Sequence, residues 1–326
     1  HSLDTTIKEP FASNPAVLDA VEKNHKKLQI AMTKLYPGNL VLSLSSGIMY
    51  HRLVDRITAL NDVPREPLVP RRLGKNMCVP FGKILRGKVV PNTVTKTLHT
   101  DKVYEPDLNS FTIEPFPYYS PLKSQIETIK SFDRPVILVD DLVHTANRLQ
   151  VLVPQLREDG IPIKKVVVGV LSGYGRDLMQ CLKVPVESIY SMPNLRQWFV
   201  ESTLYPFIGG DTVRREEMKV AGLQPSINMI LPYATPRLSG CSREALVEFS
   251  ACCIENSRDL LQVLEAEYRK QYAKNLTLSR LSEAVILPLC PDKGSCMEYD
   301  ENLAASVYLE NDLETLWRMK EFLIKG

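Results

Sequence analysis

Two adjacent carboxylates, Asp140 and Asp141, follow directly on the apolar run Val136–Val139, and the hydroxyl of Thr145 stands four residues further on. The residues around that hydroxyl, Val143, His144, Thr145, Ala146, Asn147 and Arg148, combine a turn's worth of backbone N–H groups with side chains suited to an anion. A continuous β-branched run of this kind reads as a parallel strand covered on both faces. The acidic pair then sits at its carboxyl end, where open α/β sheets bind ligands. A short strand-to-helix loop presents backbone donors and a helix N-terminus to an anion. Carboxylates that accept from neighbouring hydroxyls, beside an anion cradle, describe a site for a ribose 5-phosphate.

The flanking elements have to hold that loop in place. Asn39–Leu44 is expected as a strand, followed by the small-residue loop Ser45-Ser46-Gly47 and an amphipathic helix to about Leu60, with Ile48, Leu53, Val54 and Ile57 on its apolar face. A short strand is expected at Asn76–Pro80. The stretch Phe81–Lys102 is punctuated by Gly and Pro and rich in β-formers, which predicts a two-stranded flap. Beyond the motif, a helix should run to Arg157 and close at Gly160, with Pro154 kinking or breaking it. Strands at Lys164–Leu171 and Val186–Tyr190 enclose a helix near Arg176–Leu182. The alternation predicts an α/β fold with a doubly wound, mostly parallel sheet.

An apolar strand, two acidic residues, a short apolar stretch and a Thr resemble the sugar-binding motif of the type I phosphoribosyltransferases, which continues as Thr-Gly-x-Thr or Thr-Gly-x-Ser. Asp140, Asp141 and Thr145 match it; Ala146 replaces the usual Gly, and Arg148 replaces the second hydroxyl. An Arg there can supply a charge-assisted contact instead. The resemblance implies a sheet of the type I phosphoribosyltransferase kind with a flap or hood hairpin, and a ligand such as 5-phosphoribosyl 1-diphosphate. It also implies Mg²⁺ bridging the ligand's diphosphate and ribose oxygens near Asp140 and Asp141, and phosphoribosyl transfer to or from a nitrogenous base. Residues 143–148 would cradle the 5-phosphate. Ser45, Ser46, Gly47, Lys83, Arg86 and Lys88 would meet the diphosphate. Lys96, His99 and Lys102 are flap candidates, His99 being either a general acid or a polar loop residue. Tyr190, Asn194, Arg196 and Trp198 are candidates for the base pocket, although Trp198 and Phe199 also suit packing at a sheet edge. Ser202–Gly210 is similar to the segment that closes purine phosphoribosyltransferases, but Glu201 and Ser202 stand where those enzymes carry an Arg. The departures fit a divergent bacterial member, of the kind that accompanies stress and tellurium-resistance gene clusters.

The basic residues Arg71, Arg72, Lys75, Lys83, Arg86, Lys88, Lys96 and Lys102 suit a polyphosphate ligand, and equally a solvated edge. Only Phe81 among the segment's residues could stack on a base, and the whole chain of 326 residues carries a formal net charge of +2, so nucleic-acid binding is disfavoured. A non-catalytic ligand sensor on the same fold is the principal alternative to an enzyme. The length allows more than one domain: a helical segment at 1–36 with an amphipathic helix at Pro15–Leu35 covering a sheet face, an α/β domain at 37–223, and a smaller helical region at 224–326. That last region should contain helices at Arg243–Tyr272, capped by Ser242, at Leu276–Val285, and from about Asn302 to Leu323. It offers no recognisable chemistry, and packing or a homodimer contact is its expected role. The seven cysteines have no regular spacing and read as reduced thiols; Cys241, Cys252, Cys290 and Cys296 make at most a weak zinc pattern. No charged-then-apolar leader and no membrane-length apolar run is evident, so a cytoplasmic protein is expected. The chain opens on His1 rather than Met, which leaves room for residues upstream.

Overall fold

The computed structural model describes residues 6–145, 147–217, 219–236, 238, 240–293 and 298–325. The chain forms two compact units. One comprises 44–102 and 112–198, and the other comprises 1–43, 103–111 and 199–326. This division groups the N-terminal helix with the C-terminal region, where three consecutive segments were expected.

The unit that carries the motif is an α/β sheet sandwich. Its helix α2 (Ser46–Leu60) begins at Ser45, whose hydroxyl accepts from Ile48 N–H at 3.4 Å. The sheet consists of β1 (Met77–Pro80), β2 (Val94–Thr95), β5 (Val136–Val143), β6 (Ile163–Ser172) and β7 (Val186–Met192), in the order β2-β1-β5-β6-β7 with every pairing parallel. Helices α3 (Leu122–Lys130), α4 (Asn147–Glu158) and α5 (Gly173–Cys181) complete it. Because side chains alternate along a strand, Val136, Leu138, Val166 and Val168 bury against α3, α4 and Met179 of α5. Ile137, Val139 and Val167 bury on the opposite face against Met49, Leu53, Val54 and Ile57 of α2. Helices therefore cover both faces, and the sheet is doubly wound.

Four expectations are corrected along this part of the chain. Residues 39–44 form no strand, and Leu40 is 85% exposed: alternation of apolar residues makes no ladder where no neighbouring strand offers partners. Ile48 points to solvent, one position off the buried stripe of α2. The segment 81–102 is not a two-stranded flap. Phe81, Ile84, Leu85, Val90 and Leu98 are buried, and Val94–Thr95 is an edge strand alongside β1. A hairpin does exist, but it begins later, with β3 (Thr100–Tyr104) and β4 (Phe111–Pro115) joined through Glu105 N–H to Ser110 O at 3.0 Å. Pro154 neither breaks nor ends α4; it sits on the exposed side of a helix that continues to Glu158.

The other unit has its own sheet, in the order β10-β9-β8-β3-β4, where β8 is Asp211–Val213, β9 is Gln224–Ile227 and β10 is Leu289–Pro291. Helix α1 (Pro15–Leu35) packs on α7 (Arg243–Tyr272), and α7 on α8 (Ala305–Lys325), rather than α1 covering the parallel sheet. Asn24 Nδ2 donates to Asn256 O at 2.7 Å and Asn256 Nδ2 donates back to Asn24 O at 2.9 Å, which ties α1 to α7. A short helix, α6 (Glu201–Leu204), leads into the buried Tyr205, Phe207 and Ile208. The helix expected at Leu276–Val285 is a tighter 3-10 turn at Leu278–Glu283.

Candidate functional site

The acidic pair lies where two neighbours of β5 part company. Strand β1 pairs with β5 only as far as Pro80 opposite Val139, whereas β6 follows β5 through Val143. The strand itself thus runs past the pair rather than ending before it. Phe81 N–H still reaches Val139 O at 3.0 Å, and the chain then turns away at Gly82. That glycine is required: a Cβ there would come within 1.7 Å of Asp140 Oδ1 and 3.1 Å of Asp141 Oδ1. Both carboxylates therefore converge on the notch left by the departing strand.

Asp140 is buried, and its Oδ1 accepts from Asp141 N–H at 2.8 Å. Burial, followed by the Asp141 charge, pushes the Asp140 carboxyl well above the ordinary range. Burial acts on Asp141 in the same sense, but the hydrogen bond with Asp140 and the Arg148 charge outweigh it and hold Asp141 low. The two carboxyls are thus shifted in opposite directions, Asp140 upward and Asp141 downward.

Two arginines flank the pair. Arg148 stands in the first turn of α4, and its charge acts on both carboxyls. The guanidinium of Arg86 lies over the Phe116 ring, 4.8 Å from its centroid, within charge reach of Arg148, Asp101 and Asp140. Burial and Arg148 lower the Arg86 pKa, but a guanidinium remains cationic at neutral pH. The Nε atoms of both arginines are buried without a hydrogen-bond partner. His99 stacks on Tyr119 at 3.8 Å, and its pKa is lowered by burial, then by Arg86 and Lys96. Gln125 fixes the backbone there by accepting from His99 N–H at 2.7 Å and donating to His99 O at 3.2 Å.

The loop after β5 is built from a second strand end. Ser172 caps α5, its Oγ accepting from Gly175 N–H at 2.9 Å, and the same hydroxyl lies 2.8 Å from His144 Nδ1. Burial lowers the His144 pKa, so the neutral ring can accept the Ser172 O–H. The ring lies 4.7 Å from Trp198 and 5.6 Å from Tyr174. Thr145 Oγ1 accepts from Asn147 Nδ2 at 2.9 Å, and Val143 closes the strand. Ala146 lies outside the described residues.

The remaining expected site residues are dispersed. Ser45 caps α2, with Ser46 and Gly47 in its first turn. Lys83, Lys88 and Lys96 are exposed, Lys88 over the ring of Tyr50 at 4.3 Å, while Lys102 is half-buried in β3. Tyr190 packs with the α2-facing layer under Arg52, Asn194 and Arg196 are exposed, and only Trp198 of the expected base-pocket group reaches the motif loop. Gly82, Phe116, Tyr119, Ser172 and Tyr174 were not anticipated. The sequence signal for the last two is Ser-Gly-Tyr-Gly directly after an apolar strand, a small-residue junction that allows α5 to start against Val143 O. Ser202–Gly210, expected near the base, supplies core side chains to the other unit.

Asp140 and Asp141 are the carboxyls at this site, and Mg²⁺ takes oxygen ligands. Among the described residues no group of three or more His, Cys, Asp or Glu is placed to hold a metal; Cys296 lies outside them. No helix among them is long and apolar enough to cross a membrane. The other unit holds a cavity of about 590 Å³, where Arg215 pairs with Asp292 and Lys293 with Asp312.

No family model matches the chain, and no curated protein matches it. Among solved structures, it is similar to a purine phosphoribosyltransferase from Pyrococcus horikoshii, with 11% identity over 47% of this chain and 94% of that one and a TM-score of 0.27. It is also similar to an adenine phosphoribosyltransferase from Thermoanaerobacter pseudethanolicus (10% identity, 51% and 99% covered, TM-score 0.28). A hypoxanthine phosphoribosyltransferase from Trypanosoma cruzi, complexed with its product IMP, gives 17% identity, 49% and 80% coverage and a TM-score of 0.27. Identities and TM-scores at this level carry no functional assignment.

Proposed function

We propose that the chain binds a phosphorylated ribose, such as 5-phosphoribosyl 1-diphosphate, at the β5–α4 junction, and that it acts as a phosphoribosyltransferase-like enzyme exchanging a nitrogenous base. The observation that carries this reading is the Asp140–Asp141 pair in the notch vacated by β1, directly before an anion-suited loop. Asp140 and Asp141 meet the ribose hydroxyls. Residues 143–148 take the 5-phosphate through backbone donors, Thr145 and Arg148. The aromatic group of His144, Tyr174 and Trp198 offers faces for a base. Positive charge at Arg86 stabilises a departing anionic group electrostatically.

Calorimetric titration with 5-phosphoribosyl 1-diphosphate tests the reading, with Asp140→Asn/Asp141→Asn as the control. Saturable binding lost in the folded double variant supports it, and diphosphate release on adding a base establishes turnover. Binding without release under any base favours the sensor reading. Affinity unchanged in the variant removes the acidic pair from the site.

A further inference from the structure

Arg148 replaces a hydroxyl in the motif, and Arg86 belongs to a segment whose expected flap structure is absent. Each nevertheless carries a buried Nε–H that has no acceptor, and the two guanidiniums lie within charge reach of one another and of Asp140. A buried unsatisfied donor costs about 1–3 kcal/mol, so two at one site beside a carboxyl pair need a physical reason. The Nε–H and one terminal N–H of a guanidinium form the side-on fork that grips an oxyanion through two parallel hydrogen bonds. In each arginine the Nε half of that fork is open. The Phe116 face supports the Arg86 guanidinium, and the Arg148 Nε is buried on a side chain that leaves the first turn of α4. Such preorganisation favours affinity by reducing the ordering that binding requires.

We infer that Arg86 and Arg148 form a paired-guanidinium clamp for an oxyanion of the ligand, and that the site therefore binds a sugar phosphate without a divalent cation. The inference rests on the ribose-phosphate reading for the sugar but not for the anion. The clamp supplies the neutralising charge that a metal ion would bring. Gly82 leaves the Asp140 oxygen in contact with the turn, so the carboxyl pair keeps its place beside the clamp.

The probes are ribose 5-phosphate and inorganic phosphate, titrated into the full chain in excess EDTA and again in Mg²⁺. The expected result is a ribose 5-phosphate Kd that agrees within about twofold in the two conditions. Arg148→Lys and Arg86→Lys, which keep the charge but lose the fork, should each weaken it by about tenfold or more while retaining the parent's cooperative melt. Binding that requires Mg²⁺, or an unchanged Kd in both lysine variants, overturns the clamp and leaves the ribose-phosphate reading standing. Equal affinity for both probes, lost in the lysine variants and kept in Asp140→Asn/Asp141→Asn, upholds the clamp and overturns the sugar reading instead. No binding of either probe overturns both.

Discussion

Burial, ahead of the Asp141 charge, pushes the Asp140 carboxyl well above its ordinary range. Folding raises the pKa of this group, so its ionisation opposes folding. Its contribution to stability is whole below the unfolded carboxyl value of about 3.9 and is lost as the pH rises through the folded-state value. Asp140→Asn keeps the shape and cannot ionise. It should raise Tm at neutral pH, by about 2–4 °C for each kcal/mol recovered, with the gain vanishing near about pH 4. Melting curves across that range check the sign, and a lower Tm for the variant at the alkaline end would show that Asp140 is ionised in the fold. The identity of the acidic pair and of Thr145 was legible from residue type and spacing. Which carboxyl is shifted upward was not, because that depends on burial, which distant parts of the chain such as the turn at Gly82 create.

Helix α4 joins the phosphate-suited loop to the core, with Leu149, Leu152, Val153 and Leu156 buried beneath it. Pro154 removes one backbone donor from its interior without ending it. The buried stripe evidently outweighs a local penalty that is about 3 kcal/mol in an ordinary helix interior. Pro154→Ala, at an exposed position, should therefore stabilise the chain by about 1–3 kcal/mol, read as a higher denaturation midpoint with an unchanged slope. A destabilised variant would mean that the helix is already relaxed around the ring. Elements with a strong periodic pattern, such as α2, α7, β6 and the motif strand, were legible. The expected strand at 39–44 and the flap at 81–102 were not, because strand character needs a partner and the sequence names none. In 81–102 the apolar residues bury instead against the sheet, and the hairpin begins at Thr100.

The whole molecule comprises two units that the chain enters and leaves more than once. Helix α1 buries Val17, Ala20, Val21, Leu28 and Leu35 in the core shared with α7 and α8. At about 1.5–3 kcal/mol for a fully buried aliphatic side chain, that face rivals the entire stability of a domain, about 5–15 kcal/mol. Deleting residues 1–36, the segment that reads as separable in sequence, should abolish the cooperative melt of the unit containing 199–326. Limited proteolysis would then cut α7 early; a truncated chain that keeps α7 protected would refute its dependence on α1. The sequence by itself determined the α/β class, the motif strand, the acidic pair and the long helices, since each follows from local periodicity or residue chemistry. Only the tertiary structure decided that α1 belongs with α7, that β1 leaves a notch beside Asp140, and that Arg86 comes within charge reach of Arg148. Those facts depend on contacts between residues far apart in the chain, which pattern along a single strand or helix does not encode.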